Sequence, residues 1–390
     1  MSLSTKRKTS ISIHSKLPKV GDTIFSKMSA LANAENAINL SQGFPDFECS
    51  TKLIELVNQA MRNGHNQYAP MAGLMSLREK IAEKTEALYT GVYHPETEIT
   101  ITAGATQAIF TAIAATVNEG DEVVVFTPAY DCYEPAIELI GAKPVYVQLK
   151  APDYRINWQE VRKVINQKTK MIIINSPHNP TGSILNGQDL QQLEKMLDNS
   201  DILVLSDEVY EHIIFDGYEH QSVARFPNLA SRSFIVSSFG KTYHTTGWKV
   251  GYCLAPAALM KEFRKTHQYN VFSVHTPTQH AYASFLDEVD EYLQLKSFYQ
   301  EKRDFFTNLL KNSRFKLMHT AGSYFQLLGF EKISKEKDTD FAVRLTKEHK
   351  VASIPISVFY NRPVDDSVLR FCFAKENDTL ERAAEILNKL

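Results

Sequence analysis

Between Ile99 and Pro256 the chain repeats one pattern: a short β-rich apolar run, then in several intervals a helix-length segment with apolar residues at helical spacing. Seven runs stand out: Ile99–Thr102, Glu122–Phe126, Pro144–Leu149, Met171–Asn175, Ile202–Ser206, Phe234–Ser237 and Val250–Leu254. Helices are expected at Thr106–Val117, Trp158–Ile165 and Gln188–Leu197. Parallel neighbours need long crossovers, so this alternation predicts an α/β fold with a mostly parallel seven-stranded sheet and helices on both faces. Met171-Ile-Ile-Ile and Val123-Val-Val-Phe are apolar without alternation, as strands covered on both sides must be.

After Pro256 the pattern changes. Helical stretches are expected at Lys261–Tyr269 and Thr278–Asn312, strands near Phe315–Leu328 and Val368–Phe373, and a closing helix at Thr379–Leu390. These predict a second, smaller α+β domain, consistent with 390 residues at about 100–200 per domain. The expected division is 1–45 as an N-terminal arm and part of the small domain, 46–275 as the large domain and 276–390 as the small one. Met1–Asn39 is too polar to form a core alone and is expected to lie across the larger lobe or reach a partner subunit.

The 43 basic and 45 acidic side chains leave a formal charge of −2, so no broad basic field exists to neutralise phosphates, and a nucleic-acid partner is not expected. Cys49, Cys132, Cys253 and Cys372 lie far apart and read as thiols of a reducing compartment, cytoplasm by default. Lys6, Arg7 and Lys8 are not followed by an apolar run, and no stretch of about 18 apolar residues occurs, so neither a signal peptide nor a membrane anchor is expected. Twelve histidines include no H-E-x-x-H pair, and no catalytic metal is expected.

The chemistry concentrates at strand ends. Ser237-Ser-Phe-Gly-Lys-Thr242 suggests a phosphate loop, but that motif needs a glycine where Ile235 stands. Lys241 therefore needs another explanation. A lysine in a partly dry pocket can lose its proton and form a Schiff base with a carbonyl, although most lysines are simply solvated. Two other expected strand ends carry Asp207 and the turn Asn179-Pro-Thr-Gly, and ligands of open α/β sheets bind at the carboxyl ends of strands. A buried Asp207 can pair with a pyridinium nitrogen or cap a helix beginning at Glu208. Gly104-Ala105-Thr106 joins a strand to a helix through free amides that suit an anion, and Ser238 and Lys249 can add a hydroxyl and a charge.

Together, Asn179-Pro-Thr-Gly, Ser206-Asp-Glu-Val-Tyr210, Ser237-Ser-Phe-Gly-Lys241, Gly247-Trp-Lys-Val-Gly251 and Arg370-Phe-Cys-Phe resemble, in order and spacing, the class I and II aminotransferases of fold type I. Coverage runs from about Ile24 to Leu390. Ser41-Gln-Gly-Phe-Pro-Asp46, Asn66-Gln-Tyr-Ala-Pro-Met71 and Tyr130-Asp-Cys-Tyr133 resemble its kynurenine, glutamine and methionine branch. The resemblance implies pyridoxal 5'-phosphate as cofactor and Lys241 as the Schiff-base lysine and proton shuttle. It implies Asp207 at the ring nitrogen, Tyr210 and Asn179 at the ring oxygen and Tyr130 against the ring face. Gly104, Ala105, Thr106, Ser238 and Lys249 would hold the phosphate, with Tyr68 of a neighbouring subunit completing the site in a homodimer. Arg370 would pair with the substrate α-carboxylate, assisted by the Gly43 amide, with Phe25, Tyr68 and Phe359 along an apolar side-chain pocket.

The activity so implied is ping-pong transfer of an amino group from an apolar or aromatic L-amino acid, methionine favoured, to a 2-oxo acid. The alternative is a kynurenine/glutamine aminotransferase with β-lyase activity on cysteine conjugates. A cofactor-binding transcription regulator would carry a DNA-binding module, and only about forty residues precede the first motif.

Overall fold

The computed structural model describes residues 13–362 and 364–390. The outer part of the expected N-terminal arm, residues 1–12, lies outside them.

Among the described residues thirteen strands occur in chain order: β1 (Ile38–Asn39), β2 (Ile99–Thr102), β3 (Glu122–Thr127), β4 (Lys143–Gln148), β5 (Thr169–Asn175), β6 (Leu203–Asp207), β7 (Ser233–Ser238), β8 (Gly251–Leu254), β9 (Lys316–Leu317), β10 (Phe325–Gly329), β11 (Val351–Ala352), β12 (Ile354–Pro355) and β13 (Val368–Cys372). β2 to β8 form one seven-stranded sheet, ordered β2-β8-β7-β6-β5-β3-β4. Its pairs are parallel except those of β8 with β7 and β2. The seven apolar runs are thus the seven strands.

Successive strand residues face opposite sides, and here both sides are dry. Val123 and Val125 enter a core with Ala108, Ala112 and Phe263, while Val124 and Phe126 enter the larger core with Trp158 and Leu193. The helix Gly104–Thr116 covers the first face, and Gly187–Leu197 buries Leu190, Leu193 and Leu197 on the second. An Asn186–Asp189 capping box fixes the start of the latter helix.

β9, β10, β12 and β13 form a four-stranded antiparallel sheet, and β1 pairs in parallel with β11. The helix Ile24–Ala34 packs against Asp338–His349 and β11. The expected continuous helix from Thr278 to Asn312 is broken into Thr276–Phe285, Asp290–Leu293 and Leu295–Leu310. The break holds Asp287 and Glu288, which pair with Lys80 and Lys52 instead of continuing the helix. Thr276–Phe285 packs against the helices Thr51–Arg62 and Met75–Tyr89.

Among the described residues no helix is long and apolar enough to cross a membrane, and no group of three His, Cys, Asp or Glu could hold a metal ion.

Candidate active site

Register brings the chemistry together. Asn175 pairs with Asp207 across β5 and β6, and Ser238 pairs with Gly251, which also faces Thr102. The ends of β2, β5, β6 and β7 therefore meet around one cavity of about 130 Å3. Its lining includes Gly104, Ala105, Thr106, Tyr130, Asn179, Asp207, Tyr210, Ser238, Lys241 and Lys249. A larger cleft of about 950 Å3 shares Asn175 with this cavity but is lined by neither Lys241 nor Asp207.

One end of the cavity suits an anion. The helix Gly104–Thr116 starts there with no side-chain cap, leaving amides free. Gly104 has φ +76°, and a Cβ on it would press within 3.2 Å of the Lys249 side chain. At Gly251 a Cβ would lie 2.6 Å from the Ser237 carbonyl oxygen, so glycine is what lets β8 approach this turn.

The other end is a buried carboxylate. Asp207 Oδ2 accepts a 2.6 Å bond from the Tyr133 hydroxyl, and Oδ1 accepts a 3.3 Å bond from the Val209 amide. No helix starts at Glu208; the chain enters a turn there, so Asp207 caps nothing. Asn175 donates to the Asp207 carbonyl oxygen at 2.9 Å and accepts from the Asn179 amide at 2.8 Å, tying two strand ends together. Burial raises the Asp207 pKa to about 6, against the pull of the Tyr133 bond.

Lys241 lies between the two ends. Its Nζ donates to the Gly43 carbonyl oxygen at 2.9 Å and to the Tyr324 hydroxyl at 2.7 Å. Burial, with Lys249 and Arg370 nearby, lowers its pKa to about 8. Gly43 thus presents its carbonyl oxygen to the lysine.

Arg370 is 1% exposed, one of the largest fully buried side chains. It donates to Asn179 Oδ1 at 2.7 Å and to the Ser41 carbonyl at 3.2 Å, while its Nε has no partner among the described residues. Its guanidinium lies 3.8 Å from the Phe325 ring centroid, 5.3 Å from Phe25 and 5.4 Å from Phe359. Tyr68 stands apart: it is 79% exposed, packs on Phe272, and is absent from the cavity lining of its own chain. Tyr133, Asn175 and Tyr324 carry no role in the sequence reading, although Tyr133 closes the Tyr-Asp-Cys-Tyr segment.

The family described as "Aminotransferase class I and II" matches residues 35–387. The chain is a class I and II aminotransferase. It is 48% identical to a methionine aminotransferase of Escherichia coli, over 96% of this chain and 98% of that one. It is 33% identical to kynurenine–oxoglutarate transaminase 3 of Homo sapiens, over 93% and 87%. Among solved structures, Escherichia coli YbdL, identified with a methionine aminotransferase function, superposes with a TM-score of 0.96 at 48% identity, covering 97% of this chain and all of that one. N-succinyldiaminopimelate aminotransferase from Mycobacterium tuberculosis gives 0.93 at 34%, covering 97% and 100%. The fold is that of the fold type I aminotransferases.

Aminotransferases of this family depend on pyridoxal phosphate, as this one does. The cavity suits that group: an uncapped helix start with a lysine at one end, a buried acid at the other, and a lysine shifted toward neutrality between them.

Proposed function

We propose that this aminotransferase takes the amino group from an apolar or aromatic L-amino acid, methionine foremost, and gives it to a 2-oxo acid in a ping-pong cycle. The observation that carries the donor class is Arg370, bonded to the cavity residue Asn179 and set among the rings of Phe25, Phe325 and Phe359. One buried fork suits one carboxylate, and the aromatic surroundings suit an apolar side chain. The 48% identity to a methionine aminotransferase supports methionine, and the kynurenine transaminases among the relatives support aromatic donors beside it.

Gly104, Ala105, Thr106, Ser238 and Lys249 would hold the cofactor's phosphate and Tyr130 would flank its ring. Asp207, as an ionised carboxylate, would keep a proton on the ring nitrogen, and Asn179 and Tyr210 would bond the ring oxygen. When bound, pyridoxal phosphate supplies an aldehyde carbon and a ring that accepts electrons. Lys241 Nζ, neutral for part of the time near pH 8, takes the α-proton of the bound amino acid. Arg370 sets that amino acid's orientation through its carboxylate.

Tyr68, exposed and packed against the exposed Phe272, supports a homodimer in which it reaches the neighbour's phosphate. Four free cysteines support a cytoplasmic location.

A visible absorbance spectrum before and after adding L-methionine without oxo acid tests the reading. Loss of the Schiff-base band, with one equivalent of oxo acid released, is expected. A band unchanged by methionine but discharged by kynurenine or glutamine would move the donor assignment. Pyruvate and ammonia from a cysteine conjugate, formed without an acceptor, would establish elimination. No band after incubation with pyridoxal phosphate would remove the lysine site.

A further inference from the structure

Tyr324 belongs to none of the motifs above, yet its hydroxyl touches the nitrogen on which the chemistry turns. It is 0% exposed. Its oxygen accepts the 2.7 Å bond from Lys241 Nζ and donates to the Gly43 carbonyl oxygen, which also accepts from Nζ. Nζ, the phenol oxygen and the carbonyl oxygen thus form a closed triangle.

The rest of the fold leaves that hydroxyl little freedom. The backbone before it is stitched to the turn after β6: the Ser323 amide donates to the Ile213 carbonyl at 2.9 Å, and the Phe215 amide to the Ala321 carbonyl at 3.0 Å. The Tyr324 carbonyl accepts from the Phe373 amide at 3.0 Å. Gly322 makes this approach possible, since a Cβ there would lie 2.6 Å from Pro177. The ring meets Tyr210 edge-on at 5.1 Å.

We propose that Tyr324 is a positioning residue for Lys241, aiming Nζ and favouring its protonated over its neutral form. The proposal rests on the reading of Lys241 as the proton carrier. An acceptor bonded to an ammonium stabilises the charge. Of the other groups facing Nζ, Asp207 and Cys372 favour the proton, Lys249 and Arg370 oppose it, and Tyr210 presents its ring. Among the described residues, Tyr324 supplies the one side-chain hydrogen bond to Nζ.

The test is Tyr324→Phe, with Tyr299→Phe as control, because the Tyr299 hydroxyl is buried without a partner. In cofactor-free protein, the pH dependence of Lys241 acetylation by acetic anhydride is followed by mass spectrometry. Tyr324→Phe is expected to move the midpoint down by about one pH unit, and the control to leave it in place. In holoenzyme, the acid limb of the L-methionine half-reaction moves the same way and its plateau rate falls about tenfold, with little change in KM. A midpoint unchanged in Tyr324→Phe, or moved equally in the control, would overturn the proposal whatever the plateau does. Full activity in Lys241→Ala would instead overturn the catalytic reading, leaving the labelling result to stand.

Discussion

The Tyr133 hydroxyl is bonded to Asp207 Oδ2 at 2.6 Å, although 74 residues separate them in the chain. The bond offsets burial, which raises the Asp207 pKa to about 6. Tyr133→Phe should therefore raise that pKa further, move the acid limb of turnover to higher pH, and lower kcat about tenfold at neutral pH. An unchanged pH profile would show that the bond does not tune the acid.

Lys241→Ala should keep the phosphate-anchored cofactor and lose nearly all turnover. Cofactor retention on gel filtration and single-turnover kinetics read the two effects separately. Retained turnover would remove Lys241 from the mechanism.

Arg370→Lys replaces a planar fork with a point charge in a fully buried place. KM should rise about ten- to a hundredfold for every amino donor alike, because all share the α-carboxylate. A loss confined to one donor would place Arg370 in the side-chain pocket.

Behind the cavity, Glu211 accepts hydrogen bonds from Lys84 at 2.7 Å, Tyr89 at 2.7 Å, Ser237 at 2.6 Å and Tyr252 at 2.9 Å. Burial alone would raise its pKa, but Lys84, His212 and Ser237 outweigh burial and hold it well below the ordinary carboxylate range. Its contribution to stability is then complete above the unfolded value near 4.5 and is lost as pH falls through the lower folded value. Glu211→Gln leaves Lys84 buried without a charge partner and should lower stability by about 3–5 kcal/mol at neutral pH, measured by denaturant titration. Near-wild-type stability would show that the amide satisfies the cluster.

The strands were legible because each apolar run is buried on both faces, and the cavity residues because each sits within a few positions of a strand end. Tyr133, Asn175 and Tyr324 were harder to read. Their roles come from contacts made after folding, such as the approach of Tyr324 to Lys241, 83 residues away. Of the two readings open for Asp207, the helix cap drops out because no helix follows: the Glu208 amide donates to Val236 and its carboxylate bonds Ser206 and His220. The Gly43 carbonyl bond to Lys241 was not legible either, since 198 residues separate the two.

β1 pairs with β11, and the segment after it is tied to the chain's far end: Leu40 to Cys372, Phe44 to Lys375 and Asp46 to Glu376. During synthesis the first fifty or so residues leave the ribosome long before those partners exist. The Gly43 carbonyl that receives Lys241 thus reaches its place only after nearly the whole chain has been made. The closure is long-range, joining the first fifty or so residues to about the last twenty, so its entropy cost falls before its contacts reward it. A chain cut short before β13 would keep Lys241, Gly43 and Tyr324 but lose the Cys372, Lys375 and Glu376 contacts that hold the Gly43 segment in place.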